Sequence, residues 1–61
     1  MYKLKIISCD DQRKWYAGLI GQTVDFISED IDHFEYKSRE VDTGYINFVT
    51  KTDAELVWVK E

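Results

Sequence analysis

Proline is absent from this sequence, and cysteine occurs once, as Cys9. A single thiol cannot bridge within the chain, so no intramolecular disulfide supports the fold. With one histidine, His33, beside that one cysteine, there is no Cys/His cluster to hold a structural zinc. No apolar run approaches the length of a transmembrane helix, so no membrane span is expected. Met1 leads directly into a strand-like run, without the apolar stretch and small-residue cleavage site of a signal peptide. A free thiol fits a reducing compartment, and the expected location is cytoplasmic. Basic residues are scarce and scattered: there are 8 Lys and Arg against 12 Asp and Glu, for a net charge of −4. No basic run exceeds Arg13-Lys14, which weighs against binding to a phosphate backbone.

Aromatic residues are plentiful. Nine occur in 61 residues, and large rings bury much apolar area with few rotatable bonds. Tyr2 to Ile6 alternates apolar and polar residues, the period of a half-buried strand. Gln22 to Ser28 carries Thr23, Val24, Phe26 and Ile27, all good strand formers. Further strands are expected over Phe34–Arg39, Tyr45–Val49 and Ala54–Val59. Gly, Asp, Ser and Thr separate them, with turns at Glu29–His33 and Val41–Gly44 and a 3₁₀ turn near Thr50–Asp53. Only Gln12–Ala17 lacks strand character, and it suits one helical turn capped by Asp10 or Asp11. The expected fold is one all-β domain over residues 1–61, a small five-stranded antiparallel SH3-like barrel with one short helical turn. By alternation, Leu4, Ile6, Val24, Phe26, Ile46, Phe48 and Leu56 should face the core, together with Ile20.

The segment from Trp15 through Tyr16, Ala17, Gly18, Leu19, Ile20 and Gly21 to Phe26 carries a further pattern. With Gly44-Tyr45-Ile46-Asn47 and Asp53-Ala54-Glu55-Leu56-Val57, it resembles small hypothetical proteins of prophages and mobile elements in low-GC Gram-positive bacteria. The resemblance runs from about Ile6 to Val57. It implies an SH3-like arrangement and a mobile-element context, and it implies no activity.

No chemical motif stands out. Cys9 and His33 lie in separate turns, and a nucleophilic pair needs them in contact with an orienting acid. The acidic runs Asp10-Asp11 and Glu29–Asp32 lack the spacing and central glycine of a calcium loop. Gly18-Leu19-Ile20-Gly21 leads into a strand, not the helix that a phosphate cradle requires. The expectation is therefore a protein that is not an enzyme and carries no cofactor or metal. Its aromatics outnumber what so small a core hides, so some should form an interface. The expected function is protein binding through Trp15, Tyr36, Arg39, Tyr45 and Asn47. The expected partner is an unknown protein, with a host factor as the candidate. A small nucleic-acid-binding barrel is the alternative, disfavoured by the charge.

Overall fold

A computed structural model describes residues 1–60. Six strands run in chain order: β1 (Tyr2–Ile6), β2 (Thr23–Asp25), β3 (Ser28–Asp30), β4 (Glu35–Arg39), β5 (Ile46–Thr50) and β6 (Ala54–Trp58). Single 3₁₀ turns occupy Ala17–Leu19 and Lys51–Asp53. The strands form two antiparallel three-stranded sheets, ordered β2-β1-β6 and β3-β4-β5. The domain is thus all-β, and among the described residues no helix is long and apolar enough to cross a membrane.

Six strands in two open sheets differ from the five in one barrel that the pattern predicts. The difference arises within Gln22–Ser28, expected as one strand. Its first half pairs with β1, at Lys3–Asp25, Leu4–Val24 and Lys5–Thr23. The chain then bends at Phe26-Ile27, and the next residues pair with β4, Ser28 opposite Lys37 and Glu29 opposite Tyr36. A segment that serves two sheets has to turn between them. The bend is tied across to β4, where the Ile27 N–H donates to the Lys37 carbonyl at 2.9 Å. The Ser38 hydroxyl likewise donates to the Asp25 carbonyl at 2.6 Å. Glu29 and Asp30, expected in a turn, belong to β3, and the turn starts at Ile31.

The core is formed by Leu4, Ile6, Tyr16, Val24, Val49 and Ala54. Leu4, Ile6 and Val24 hold the inward positions that alternation assigns them, while Phe26 is half-buried against Tyr36 with ring centres 5.9 Å apart. Ile46, Phe48 and Leu56 do not enter the core; all three are exposed. In β5 the faces are exchanged. Val49 and Asn47 point inward because they sit opposite Tyr36 and Ser38 of β4. Fully buried Ser38 has the Asp25 carbonyl as acceptor, and Asn47 donates its amide to the Glu40 carboxylate at 2.6 Å. Polar side chains can hold inward positions when each has such a partner. Ile20 is also exposed, since it follows the Ala17–Leu19 turn and Leu19 takes the place against the core.

Candidate functional site

The long loop between β1 and β2 positions the residues of interest. Within it Asp11 begins a tight winding, accepting the Arg13 N–H on its carboxylate at 3.0 Å while its carbonyl accepts the Lys14 N–H at 3.1 Å. An aspartate bonding the backbone two residues on makes a local turn. Of the two caps expected, Asp10 or Asp11, it is Asp11 that bonds, and in place of a helical turn over Gln12–Ala17 there are successive tight turns leading to the 3₁₀ turn at Ala17–Leu19. The Ala17 N–H then donates to the Lys14 carbonyl at 3.1 Å. This tight winding carries Lys14, Trp15 and Tyr16 onto β5.

Tyr16 enters the core, and its hydroxyl donates to Asp53 Oδ2 at 2.6 Å. Lys14 Nζ approaches the same oxygen at 3.3 Å and Thr50 Oγ1 at 3.3 Å, while Ser8 donates to Asp53 Oδ1 at 3.1 Å. Burial pushes the Asp53 carboxyl up, but donors from Tyr16, Ser8 and Lys14 outweigh it and hold the group below the usual carboxylate range. Burial, with the bond to Asp53, pushes the Tyr16 phenol up. The network pins the β1–β2 loop to the 3₁₀ turn ahead of β6.

Trp15 lies half-buried over the free edge of β5. Its indole N–H donates to the Phe48 carbonyl at 2.9 Å, and its ring meets Tyr16 edge-to-face at 5.5 Å. It forms one wall of two depressions. One, of about 390 Å³, is closed by Leu19, Glu40 and Val41; the other, of about 340 Å³, by Arg13, Glu35, Asn47 and Phe48.

The structure divides the five residues proposed from the sequence. Trp15 and Asn47 line the same depression beside Phe48. Arg39 and Tyr45 share the β4–β5 hairpin, where Arg39 Nη1 donates to the Gly44 carbonyl at 2.7 Å and sits opposite Ile46. Tyr45 is 72% exposed. Tyr36 stands apart: it faces inward opposite Val49, packs on Phe26, and lies under the Lys51 ammonium at 5.5 Å. One continuous patch of all five is not formed. The alternation of β4 separates Tyr36 from Arg39, which are three apart and so face opposite sides.

Sequence reasoning missed Phe48 and Ile46, which lie on the outer face of β5 opposite Lys37 and Arg39. Alternation reveals two faces without saying which is inward, and here both carry apolar residues. Cys9 and His33 engage different partners: the thiol lies 3.2 Å from the Asp11 carbonyl, and the exposed imidazole lies 2.9 Å from Asp30. Lys3, Arg13, Lys14 and Lys51 are each held against a carboxylate, which lessens the positive charge offered to solvent. Chemically the Trp15–Phe48 surface offers apolar contact, one guanidinium and directional amide bonds. Comparison with protein-family models, curated proteins and solved structures finds no match.

Proposed function

We propose that the chain is a non-catalytic protein-binding module whose contact surface is the outer face of the β4–β5 hairpin and the adjoining Trp15. The observation that carries this is the placement of Ile46 and Phe48. Both are apolar, both project from a solvent-facing sheet surface, and Arg39 and Lys37 flank them in register. An outward sheet face is ordinarily polar, and apolar side chains with arginine beside them and a polar rim are common at protein interfaces. Arg39, Tyr45 and Trp15 border this strip, inward-facing Asn47 meets it only at the β5 edge beside Trp15 and Phe48, and Tyr36 contributes from beneath by fixing the position of β4. The strand order and the 3₁₀ turn ahead of β6 support an SH3-like arrangement in which bent β2 and β3 act as one strand. The resemblance to small prophage proteins directs the search for the partner to cytoplasmic host proteins.

The test is capture from host lysate, with and without nuclease, using wild type and two variants. Wild type should retain a nuclease-resistant protein that Phe48→Ser and Arg39→Ala each release at least tenfold more readily, with melting temperatures near wild type. Recovery of nucleic acid alone, or equal capture by both variants, would sink the reading.

A further inference from the structure

We propose that two copies of this chain associate through β6, edge to edge and antiparallel, to form one six-stranded sheet ordered β2-β1-β6-β6-β1-β2. In the sheet β2-β1-β6, strand β6 has β1 as its neighbour on one side only. The Ile7 N–H donates to the Asp53 carbonyl at 2.8 Å, and Val59 exchanges bonds with Met1 at 2.8 and 2.9 Å. Bonding in an antiparallel ladder alternates along the strand. Asp53, Glu55, Val57 and Val59 therefore turn their backbone groups toward β1, and Leu56 and Trp58 turn theirs toward the free edge. Ala54 does so as well, and its N–H is already given to the Lys51 carbonyl.

The same residues carry exposed apolar side chains. Leu56 is 42% and Trp58 66% exposed, and Trp58 stacks edge-to-face on Tyr2, itself half-exposed, at 5.0 Å. They continue the face that buries Ile6 and Ala54, so the core surface of this sheet runs out past its own cover. Unprotected strand edges invite pairing, and proteins normally blunt them with charge, brevity or covering groups. This chain does so at both edges of the other sheet. At β5 the Trp15 indole takes the Phe48 carbonyl, the Asn47 side chain takes the Phe48 N–H at 2.8 Å, and the Tyr16 hydroxyl faces the Thr50 N–H. At β3 the strand is three residues long and carries Glu29 and Asp30. Edge β6 is five residues long, with Glu55 as its one charged side chain.

A second copy suits this edge for two reasons. With a two-fold axis through Leu56, each Trp58 falls opposite the small Ala54 of the other copy, and each Glu55 falls opposite Val57. No like charges oppose one another. The second reason is size. Among the 60 described residues, six buried apolar residues are a slight core for a chain without a disulfide, and association is one of the few remaining means of burying more.

The experiment measures mass and amide exchange together over about 10 µM to about 1 mM protein, the range in which weak dimers form by mass action. Wild type should move from monomer to dimer. The Leu56 and Trp58 amides should become at least tenfold slower to exchange as it does so, while the Val57 amide stays protected throughout. Leu56→Lys and the more exposed Trp58→Lys should both remain monomeric with native spectra. A monomer at the highest concentration would overturn the proposal. So would a dimer in which those two amides exchange as in the monomer, or a monomer that binds a peptide of the β6 sequence without self-association. The β6 edge and the β4–β5 face belong to different sheets, so loss of self-association and loss of the partner are separable outcomes.

Discussion

Ile46 and Val49 are both β-branched residues of β5, and the fold treats them oppositely: Val49 is fully buried and Ile46 is 44% exposed. The same split separates Leu4 and Ile6, fully buried in β1, from Ile20 in the loop. Removing a buried aliphatic side chain loses its transfer free energy and leaves a cavity, at a cost of about 2–5 kcal/mol. Surface changes usually stay within about 0.5 kcal/mol. Leu4→Ala and Ile6→Ala are therefore expected to destabilise strongly in urea titrations, and Ile46→Ala and Ile20→Ala to melt close to wild type. Strong destabilisation by Ile46→Ala would return that residue to the core and undo the assignment of the outer face.

Among the elements, the β4–β5 connection depends on a left-handed glycine. Gly44 has φ = 77°, its N–H donates to the Glu40 carbonyl at 3.0 Å, and its own carbonyl accepts from Arg39. A Cβ there would meet no atom within 4 Å, so the objection to a side chain is conformational and not steric. Left-handed backbone costs an L-residue about 1–2 kcal/mol. Gly44→Ala should lose about that much stability, and Gly44→Asn less, since asparagine tolerates this region. Gly18, in the Ala17–Leu19 turn, also has open space around it and lacks the positive φ. Gly18→Ala should be neutral or stabilising by up to about 1 kcal/mol, through the unfolded chain. Denaturant midpoints of the three variants decide this. Phe34, at φ = 54°, closes the β3–β4 turn in the same region, with its carbonyl accepting the Lys51 N–H at 3.2 Å and its ring under the Lys51 ammonium. Glu29 pairs with that same ammonium, so one lysine braces both sheet strands and the turn between them.

For the molecule as a whole, stability should depend on pH through one buried network and two surface pairs. Asp53 titrates low for the reason already given. Hydrogen bonds from Arg13 hold Asp11 low, and the His33 side chain does the same for Asp30. In the unfolded chain all three return to about pH 4. The unfolded state therefore binds more protons in acid, and this stabilisation is complete above about pH 4 and lost as pH falls through the folded values. At the alkaline end Tyr16 is raised by burial and its bond to Asp53. Lys14 is raised because its bonds to Tyr16 and Asp53 outweigh desolvation. Their contribution is complete below about pH 10, the unfolded tyrosine value, and lost as pH rises through the folded values. Urea unfolding across pH should give a plateau with two falling limbs. Asp53→Asn should flatten the acid limb more than Asp11→Asn, because Asp53 is buried and Asp11 meets an exposed guanidinium. Equal limbs in the two variants would show that the buried network does not govern acid stability.

The strand positions were legible in local chemistry. Period-two runs separated by Asp, Ser, Thr and Gly place β1, β4, β5 and β6 within a residue or so of their observed limits, because alternation and turn propensity are properties of neighbouring residues. So were the Val41–Gly44 turn and the 3₁₀ turn at Lys51–Asp53. Which face of β5 turns inward was not legible. Ile46 and Phe48 would serve a core as well as Val49, and the choice rests on Ser38 finding the Asp25 carbonyl 13 residues away and on Asn47 finding Glu40 across its own hairpin. The break in Gln22–Ser28 was equally hidden, since Thr23, Val24, Phe26 and Ile27 before and within it favour a strand and only the need to serve two sheets bends it. The candidate site followed the same rule. Trp15 and Asn47 meet because the β1–β2 loop is anchored on Asp53, 37 residues beyond Tyr16, whereas Tyr36 is turned away by strand parity. Sequence by itself determined the extent of β1, β4, β5 and β6 and the turns beside them; tertiary structure decided where Gln22–Asp30 bends and which side chains face one another, because both depend on pairing between strands rather than on neighbouring residues.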